Sequence, residues 1–203
     1  MAKRRDRRKP VVAEIRIHYE GDAQLKEGFR RFFAELVSLA NARNDCRVQF
    51  IDGAGRETAI HDFRLALKTH PASWNVLLID SEGPDDGNLF RPLGLTAAQR
   101  ESVFWMVQMM ESWFLADVQA LKGYYGQGFR ESSLRGDPNV ERISKRDVMR
   151  RLANATGRTQ KGKYDKVDHA PHLLRKIDPA LVQKAAPNCL RIFEIFRSRL
   201  QKS

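Results

Sequence analysis

The sequence predicts an α/β protein built on a parallel β-sheet and followed by a helical extension. Three strand-like segments alternate with two segments of helical periodicity before residue 81, and the third of them, WNVLLID, is almost wholly apolar. Strands that alternate with helices are typical of parallel sheets, and an apolar strand is typical of a sheet centre covered on both faces. At 203 residues the chain is long enough for one such domain with an appendage, but short for two independent cores.

The first half of the chain contains three predicted strands and two predicted helices. In VVAEIRIHYEGD, the apolar residues Ile15, Ile17 and Tyr19 alternate with polar ones, which predicts the first strand. Residues 22–44 carry apolar side chains every three or four positions, which predicts one helix with Asp22 as its N-cap. CRVQFID is predicted to be the second strand, ETAIHDFRLALKTH the second helix, and WNVLLID the third strand.

The second half of the chain changes character. VFWMVQM is predicted to be a fourth strand, and ESWFLADVQALKGYY a helix that begins near Glu111. Beyond Gly126 only short helices are predicted, in RDVMRRLANAT, HLLRKID and LRIFEIFRSRL. We therefore expect a disordered basic arm over residues 1–10, a core over residues 11–126, and a basic helical extension over residues 127–203 that packs on the core.

Positive charge is concentrated at the two ends of the chain. Of a formal net charge of +11, residues 1–10 contribute six Lys/Arg against one Asp, and residues 142–203 contribute 16 against five acids. Residues 11–141 hold 14 basic and 19 acidic groups. An acidic centre between basic segments suits a metal-dependent enzyme that acts on a polyanion. A solubilising tail and a solvated helix face are the alternative.

Composition disfavours several other classes of protein. No segment approaches the roughly 18 to 20 continuous apolar residues that cross a bilayer, and no apolar signal core follows the basic N-terminus, so we expect a cytoplasmic protein that does not enter membranes. Cys46 and Cys189 lack CxxC spacing and are expected to be half-buried thiols. The chain has no zinc pattern and no GxxxxGK[ST] loop, so a partner would supply any ATP site.

Acidic side chains follow the first and third predicted strands. Glu20 follows the first strand, Asp80 closes the third, and a parallel sheet brings both to one edge. Glu82 lies two residues after Asp80, a spacing that turns both side chains the same way in an extended chain. Such a set suits Mg²⁺, or Mn²⁺ in its place, and phosphodiester hydrolysis. Glu111 is a fourth candidate, although an acid in the first turn is also favoured by the helix dipole.

A basic loop, RTQKGKYDK, is the candidate nucleic-acid contact. Its lysines suit phosphate oxygens, and Tyr164 is expected to stack on a base or to donate its hydroxyl. A solvated loop between helices is the alternative. The basic residues of this loop are Arg158, Lys161, Lys163 and Lys166.

Two further features lie near this loop in the sequence. KRDVMRR puts Lys145, Arg146, Arg150 and Arg151 on adjacent helix turns and offers a second, weaker track for a nucleic-acid backbone. His169 is expected either to be structural or to assist proton transfer. Apolar spacing places several aromatic residues in the core. For Phe193 and Phe196, a contact with an ATPase subunit is an open alternative. The aromatic residues so assigned are Trp105, Trp113, Phe114, Phe193 and Phe196.

Longer motifs resemble two families. The pair HYEGD and LLIDSEG resembles the Toprim pattern of topoisomerases, primases and old-family nucleases, with a Glu after the first strand and Asp-x-Asp after the third. Glu82 replaces the second Asp, which keeps the carboxylate but lengthens its arm. Over about residues 12–197, the chain also resembles the bacterial family called domain of unknown function 4276. The segments that carry this second resemblance are LLIDSEG, VQMMESWFLAD, YYGQGFRE, DPNVERISKRDV and KGKYDKVDHA.

This resemblance implies a Toprim/Rossmann-like catalytic core over residues 11–126 and a Mg²⁺-dependent nuclease. The implied catalytic and metal-binding acids are Glu20, Asp80 and Glu82, joined by Glu111, with Glu20 as general base or acid. The basic loop would add Lys163 and Lys166 to the catalytic set. Toprim-type relatives also imply an ABC- or AAA-type ATPase partner and a role in anti-phage defence.

Three functions remain open at this point. The first is an endonuclease that cuts DNA or RNA, including tRNA. The second is a non-catalytic Toprim-like module that binds nucleic acid or a partner ATPase, because the longer Glu82 side chain can misplace a metal. The third is a phosphatase- or primase-like enzyme on small substrates, since one fold supports several chemistries. A homo-oligomer is also an open alternative.

Overall fold

The structure, a computed structural model, describes residues 13–44 and 46–201, and the predicted arm over residues 1–10 lies outside them. Four strands form one sheet in the order β2-β1-β3-β4, and every neighbouring pair is parallel. This confirms the predicted α/β fold and is consistent with a Toprim/Rossmann-like core. The strands are β1 (Glu14–Tyr19), β2 (Arg47–Asp52), β3 (Trp74–Asp80) and β4 (Val103–Met106).

Helices cover both faces of the sheet in the part of the chain that the structure describes. Two helices lie between β1 and β2, and one helix connects β2 to β3. The helices are α1 (Lys26–Phe32), α2 (Ala34–Asn44), α3 (Arg56–Thr69), α4 (Ala97–Arg100), α5 (Val118–Tyr125), α6 (Lys145–Thr156), α7 (Lys166–Leu174), α8 (Pro179–Ala185) and α9 (Pro187–Gln201).

The central strand β3 explains why WNVLLID is apolar. All seven of its residues are buried, and alternate side chains enter two different hydrophobic clusters. Val76 and Leu78 join the larger cluster, which contains residues of α1, α2 and α9, while Leu77 and Ile79 pack with α3. Because all four strands run in one direction, their carboxyl ends meet at one edge, and the loops that follow them are neighbours.

The predicted helix over residues 22–44 is divided into two. A 3₁₀ turn at Ala23–Leu25 precedes α1, and the chain leaves helical geometry at Phe33, where φ is −95° and ψ is 20°. The break lets the adjacent rings of Phe32 and Phe33 both reach Phe193, at centroid distances of 6.0 and 5.4 Å. Tertiary packing of aromatic side chains therefore overrides a continuous local helix.

The predicted helix near Glu111 begins later than expected. Residues Met110–Ala116 form a 3₁₀ helix, and α5 starts only after Asp117, whose side chain accepts the backbone N–H of Ala120 at 2.9 Å. That cap sets a new start for α5. Glu111 consequently lies in the tight turn that follows β4, at the edge where the strands end.

The helical extension shares its interior with the sheet. Phe193 and Phe196 of α9 are buried in the same cluster as Ile15 of β1, and the ring of Phe196 lies 4.4 Å from that of Trp74. The interpretation of these phenylalanines as core residues is confirmed, and so is that of Trp105, Trp113 and Phe114. The division at residue 126 stays a prediction, since this cluster extends across it.

The burial of the two cysteines and one of the helices differ from what the sequence predicted. Cys46 and Cys189 are free thiols, but both are fully buried rather than half-buried. Helix α8 had no counterpart in the sequence patterns, although Asp178 caps it and Pro179 occupies its first position.

Within residues 13–44 and 46–201, no helix is both long and apolar enough to span a membrane.

Candidate active site

Three carboxylates converge at the carboxyl edge of the sheet. Glu20 follows β1, Asp80 ends β3, and Glu82 lies two residues further along the chain. One oxygen from each of the three lies within 4.8 Å of the others. Residues 60 positions apart are thus joined by the parallel pairing of β1 with β3.

Backbone hydrogen bonds hold Glu20 and Asp80 in place. The N–H of Glu20 donates to the carbonyl of Leu78 at 3.0 Å, which extends the pairing of the two strands by one residue. The N–H of Asp80 donates to Oε2 of Glu20 at 3.1 Å, and Oδ1 of Asp80 accepts the N–H of Met110 at 2.8 Å. Neither carboxylate is therefore free to turn away from the cluster.

Glu111 supplies a fourth carboxylate, close enough to Asp80 for its charge to raise the pKa of that residue. Its side chain is fully buried, and Oε1 accepts the hydroxyl of Tyr164 at 3.1 Å. The ammonium of Lys166 lies 3.6 Å from the same oxygen. Oε2 is buried without a hydrogen-bond partner. A buried acceptor left unsatisfied costs about 1 to 3 kcal/mol, more when charged, so this oxygen is suited to a cation.

Burial and the charges of neighbouring acids raise the pKa of two carboxyl groups of the cluster, Asp80 and Glu20. Burial raises the pKa of Asp80 well above its usual range, the charges of Glu111 and Glu20 raise it further, and Lys166 offsets only part of this. Burial also raises the pKa of Glu20, against the N–H of Asp80 and the charge of Arg56. A site that disfavours its own negative charges gains from a bound cation.

Lys166 and Arg56 are the positive groups closest to the buried acids. Burial alone would lower the pKa of Lys166, but the surrounding carboxylates, Glu111 first among them, raise it overall. The Arg56 guanidinium lies 3.7 Å from Oε2 of Glu20 and donates a hydrogen bond to the backbone carbonyl of Asp80. It also lies over the Trp105 ring, 5.9 Å from the ring centre.

Sequence reasoning missed Arg56. Arg56 lies between the segments predicted to be the second strand and the second helix, and in the structure it is the first residue of α3, in the loop that follows β2. A usable signal was present, because the loop after each strand of a parallel sheet reaches the same edge.

The loops of this edge contain unusual backbone conformations. Among the described residues other than glycine, those with positive φ are Ala54 at 52°, Glu82 at 64° and Gln108 at 66°. They follow β2, β3 and β4 respectively. Strained conformations cost on the order of 1 to 3 kcal/mol and concentrate at functional sites, so their grouping here agrees with the position of the acids.

The structure separates the residues of the predicted basic loop. Arg158, Lys161 and Lys163 are exposed, and the ammonium of Lys161 lies 5.0 Å from the centre of the Tyr124 ring. Tyr164 is only 7% exposed, and its hydroxyl donates to a carboxylate inside the protein. Its ring is thus not placed to stack on a base, and the only lysine of the loop that reaches the acids is Lys166, within the described residues.

His169 has a structural role in this arrangement. Its Nδ1 accepts the backbone N–H of Asp165 at 3.0 Å and lies 3.0 Å from the hydroxyl oxygen of Tyr125. These contacts fix the start of α7, and therefore the position of Lys166, its first residue. Arg146, next to Lys145 at the start of α6, is exposed.

A cavity of about 260 Å³ opens beside the acids. Its lining includes the charged residues Glu20, Asp22, Asp80 and Lys166 together with several apolar ones. At about 30 Å³ for each water, this volume accommodates a hydrated ion with room for part of a substrate. The larger apolar residues of the lining are Leu25, Met110, Val167, Ala170 and Pro171.

The donor set fits a hard divalent cation. Carboxylate oxygens are the ligands that Mg²⁺ and Mn²⁺ prefer, and neither the described residues of the cluster nor its immediate neighbours include a thiol or imidazole ligand. A family model described as Domain of unknown function (DUF4276) matches residues 22–197 of the chain, which includes Asp80, Glu82 and Glu111. No curated protein and no solved structure matches.

Proposed function

We propose for this chain, which belongs to the DUF4276 family, a Mg²⁺-dependent nuclease activity that hydrolyses phosphodiester bonds of nucleic acid. The observation that carries the proposal is the convergence of Glu20, Asp80 and Glu82 within 4.8 Å at the carboxyl edge of a parallel sheet. The resemblance of HYEGD and LLIDSEG to the Toprim pattern supports the same activity, and the relationship to Toprim enzymes is part of the proposal.

Each residue of the site has a role in this proposal. Asp80 and Glu82 would hold Mg²⁺, or Mn²⁺ in its place, and Glu111 would offer its unpaired oxygen. The bound ion would supply an activated water and would offset negative charge on the leaving oxygen. Glu20, which contacts the Asp80 N–H and Arg56, would exchange a proton with substrate or water.

The positive residues would bind and orient the substrate. Lys166 and Arg56 lie next to the carboxylates, where they offset the charge of an incoming phosphodiester. Lys161, Lys163 and Arg158 are exposed on the loop before α7 and would contact phosphates further along the strand. The net charge of +11 favours a polyanionic substrate.

The proposed setting is the cytoplasm, in anti-phage defence, with an ABC- or AAA-type ATPase as partner. This part of the proposal rests on the family resemblance and on the lack of a GxxxxGK[ST] loop in the sequence. DNA and RNA both present the phosphodiester that the site would cleave. A homo-oligomer is compatible with the proposal.

One observation favours a second candidate, a non-catalytic module that binds nucleic acid. Glu82 is paired with Lys145, and Glu111 lies 3.6 Å from Lys166, so two of the four carboxylates already have lysine partners. If these pairs were permanent, the chain would bind phosphates without holding an ion.

Cleavage assays separate the two candidates. Plasmid DNA, single-stranded DNA and total tRNA are incubated with the purified protein and Mg²⁺ or Mn²⁺, alone and with the co-expressed ATPase. We expect metal-dependent products that disappear with Asp80→Asn and Glu20→Gln and persist with Glu57→Gln, an exposed acid of α3. Products that persist with Asp80→Asn contradict the proposed site. Binding without cleavage under every condition favours the non-catalytic module.

A further inference from the structure

Lys145 forms the most exposed of the contacts between a cation and the acid cluster. Its ammonium pairs with the carboxylate of Glu82, and the two side chains remain 42% and 45% exposed. Exposed ion pairs contribute little to stability, because water screens them. This pair can therefore open at little cost when either partner finds a stronger one.

The backbone holds Lys145 next to Glu82 whether or not the ion pair forms. Oε1 of the buried Gln108 accepts the N–H of Lys145 at 3.2 Å. The N–H of Gln108 donates to Oγ of Ser81 at 2.8 Å and to the carbonyl of Gly83 at 3.3 Å. The loop that carries Glu82 and the start of α6 are thus connected by contacts that involve neither charged side chain.

The other two cations of the site contact the more buried acids. The ammonium of Lys166 lies 3.6 Å from the fully buried Glu111, although its own side chain is 52% exposed, and Arg56 is held by the Asp80 carbonyl and the Glu20 carboxylate. The N-terminus of the helix that Lys145 begins is already capped by Ser144 and holds the acid Asp147 in its first turn. Lys145 is thus the cation of the site whose acid partner, Glu82, is itself exposed.

We propose that Lys145 exchanges partners, pairing with Glu82 in the metal-free site and with a substrate phosphate once a divalent cation occupies Glu82. The inference rests on the proposed function and specifies how its two ligands influence each other. A cation bound to Glu82 releases Lys145, which can then bind the phosphate. A phosphate bound to Lys145 in turn removes the ammonium that competes with the cation for Glu82. Metal and nucleic acid therefore bind cooperatively, and the coupling is reciprocal.

Mn²⁺ binding to the full-length protein, measured by electron paramagnetic resonance, tests the exchange without any cleavage step. Lys145→Met is expected to bind Mn²⁺ about two- to fivefold more tightly than the wild type, the range that corresponds to loss of an exposed ion pair. Arg146→Met removes the same charge from the adjacent position, and we expect its effect to stay below about twofold, since only screened long-range charge is lost. In a Glu82→Gln background, Lys145→Met should no longer change the affinity.

A second measurement follows the coupling. Binding of a labelled single-stranded phosphorothioate oligonucleotide is measured by fluorescence anisotropy with and without Mn²⁺. The wild type should bind it more tightly with Mn²⁺, and Lys145→Met should lose most of that gain while Arg146→Met keeps it. Equal Mn²⁺ affinity of wild type and Lys145→Met, or equal gains in all three proteins, overturns the exchange. Failure of the wild type to bind Mn²⁺ overturns the proposed metal site itself.

Discussion

At the scale of a single residue, Asp80 lowers the stability of the folded state. It is 3% exposed, and burial together with Glu111 and Glu20 raises its pKa well above its usual range. Its ionised form therefore destabilises the folded state at neutral pH, and a cation or a proton relieves this cost.

We predict that Asp80→Asn stabilises the metal-free protein at pH 7 by roughly 1 to 3 kcal/mol, a common range for the effect of one residue. The Asn oxygen can still accept the Met110 N–H, while the buried charge is lost. Because the folded pKa is raised, the wild type loses stability as pH rises above about 3.8, the ordinary value, and regains it in acid.

Thermal melts in a chelator at pH 7 and pH 4 check this prediction. The advantage of Asp80→Asn should shrink at pH 4, and added Mn²⁺ should raise the melting temperature of the wild type but not that of Asp80→Asn. Asp86→Asn, an exposed acid in the loop after β3, is the control and should behave as the wild type does. A variant less stable than the wild type at pH 7 would contradict the account.

Tyr164 gives a second prediction at this scale. Tyr164→Phe removes the only hydroxyl that donates to Glu111 among the described residues, so the free energy of unfolding should fall by about 1 to 3 kcal/mol. Tyr124→Phe is the matched control, because its ring is only partly buried and lies against His172 and Lys161. Urea denaturation measures both variants, and equal stabilities would contradict a structural role for the Tyr164 hydroxyl.

Single residues also show how far the site could be predicted from the sequence. Glu20, Asp80 and Glu82 could be predicted, because each ends a recognisable strand or lies within two residues of its end, and parallel strands share an edge. The partners of these acids could not, because the contact between Lys145 and Glu82 joins residues 63 positions apart. Tyr164 looked exposed in a basic loop, yet the fold turns it towards Glu111.

At the scale of elements, the start of α3 determines where Arg56 lies. Gly53 and Gly55 both precede this helix, but only Gly53 is in close contact with it. A Cβ on Gly53 would lie 2.5 Å from the Cβ of Ala59 and 2.6 Å from its Cα, while a Cβ on Gly55 would meet nothing within 4 Å.

We predict that Gly53→Ala destabilises the protein by about 1 to 3 kcal/mol, because the overlap displaces the first turn of α3. Gly55→Ala should stay within about 0.5 kcal/mol of the wild type. Because Arg56 begins α3, Gly53→Ala should also weaken Mn²⁺ binding at the site. Thermal melts and Mn²⁺ titrations of the two variants check this, and similar behaviour of both would contradict the contact between the loop and the helix.

The elements that the sequence predicted well are those with strong periodicity. All four strands and α3 could be assigned from alternation and apolar spacing. The division between α1 and α2 could not, because it depends on contacts of Phe32 and Phe33 with Phe193, more than 150 residues away. Tertiary packing changed the boundaries of predicted helices but did not remove the helices themselves.

At the scale of the whole molecule, the uneven distribution of charge is the feature most relevant to function. The acids lie in the sheet half of the chain, and the C-terminal half brings Lys145 and Lys166 to them from the starts of α6 and α7. The sequence predicted a basic helical extension, but its return to the acidic edge depends on the shared hydrophobic cluster.

This distribution predicts strongly salt-dependent binding of nucleic acid. Affinity for single-stranded DNA should fall about tenfold or more between ~50 and ~200 mM salt, as counterions return to the phosphates. Lys163→Ala should reduce the slope of log affinity against log salt by about 1, the contribution of one phosphate contact. Lys68→Ala, at the far end of α3, should leave the slope unchanged. Anisotropy titrations measure both slopes. Affinity that is independent of salt would contradict phosphate binding.

The most direct test of the central claim is the position of a bound ion. Crystals of the protein soaked in Mn²⁺ and measured at the manganese absorption edge would show the ion as an anomalous peak. The account predicts a peak bounded by oxygens of Glu20, Asp80 and Glu82, with Lys145 turned away from Glu82. A map with no peak at this edge, and with Lys145 still paired to Glu82, would contradict it.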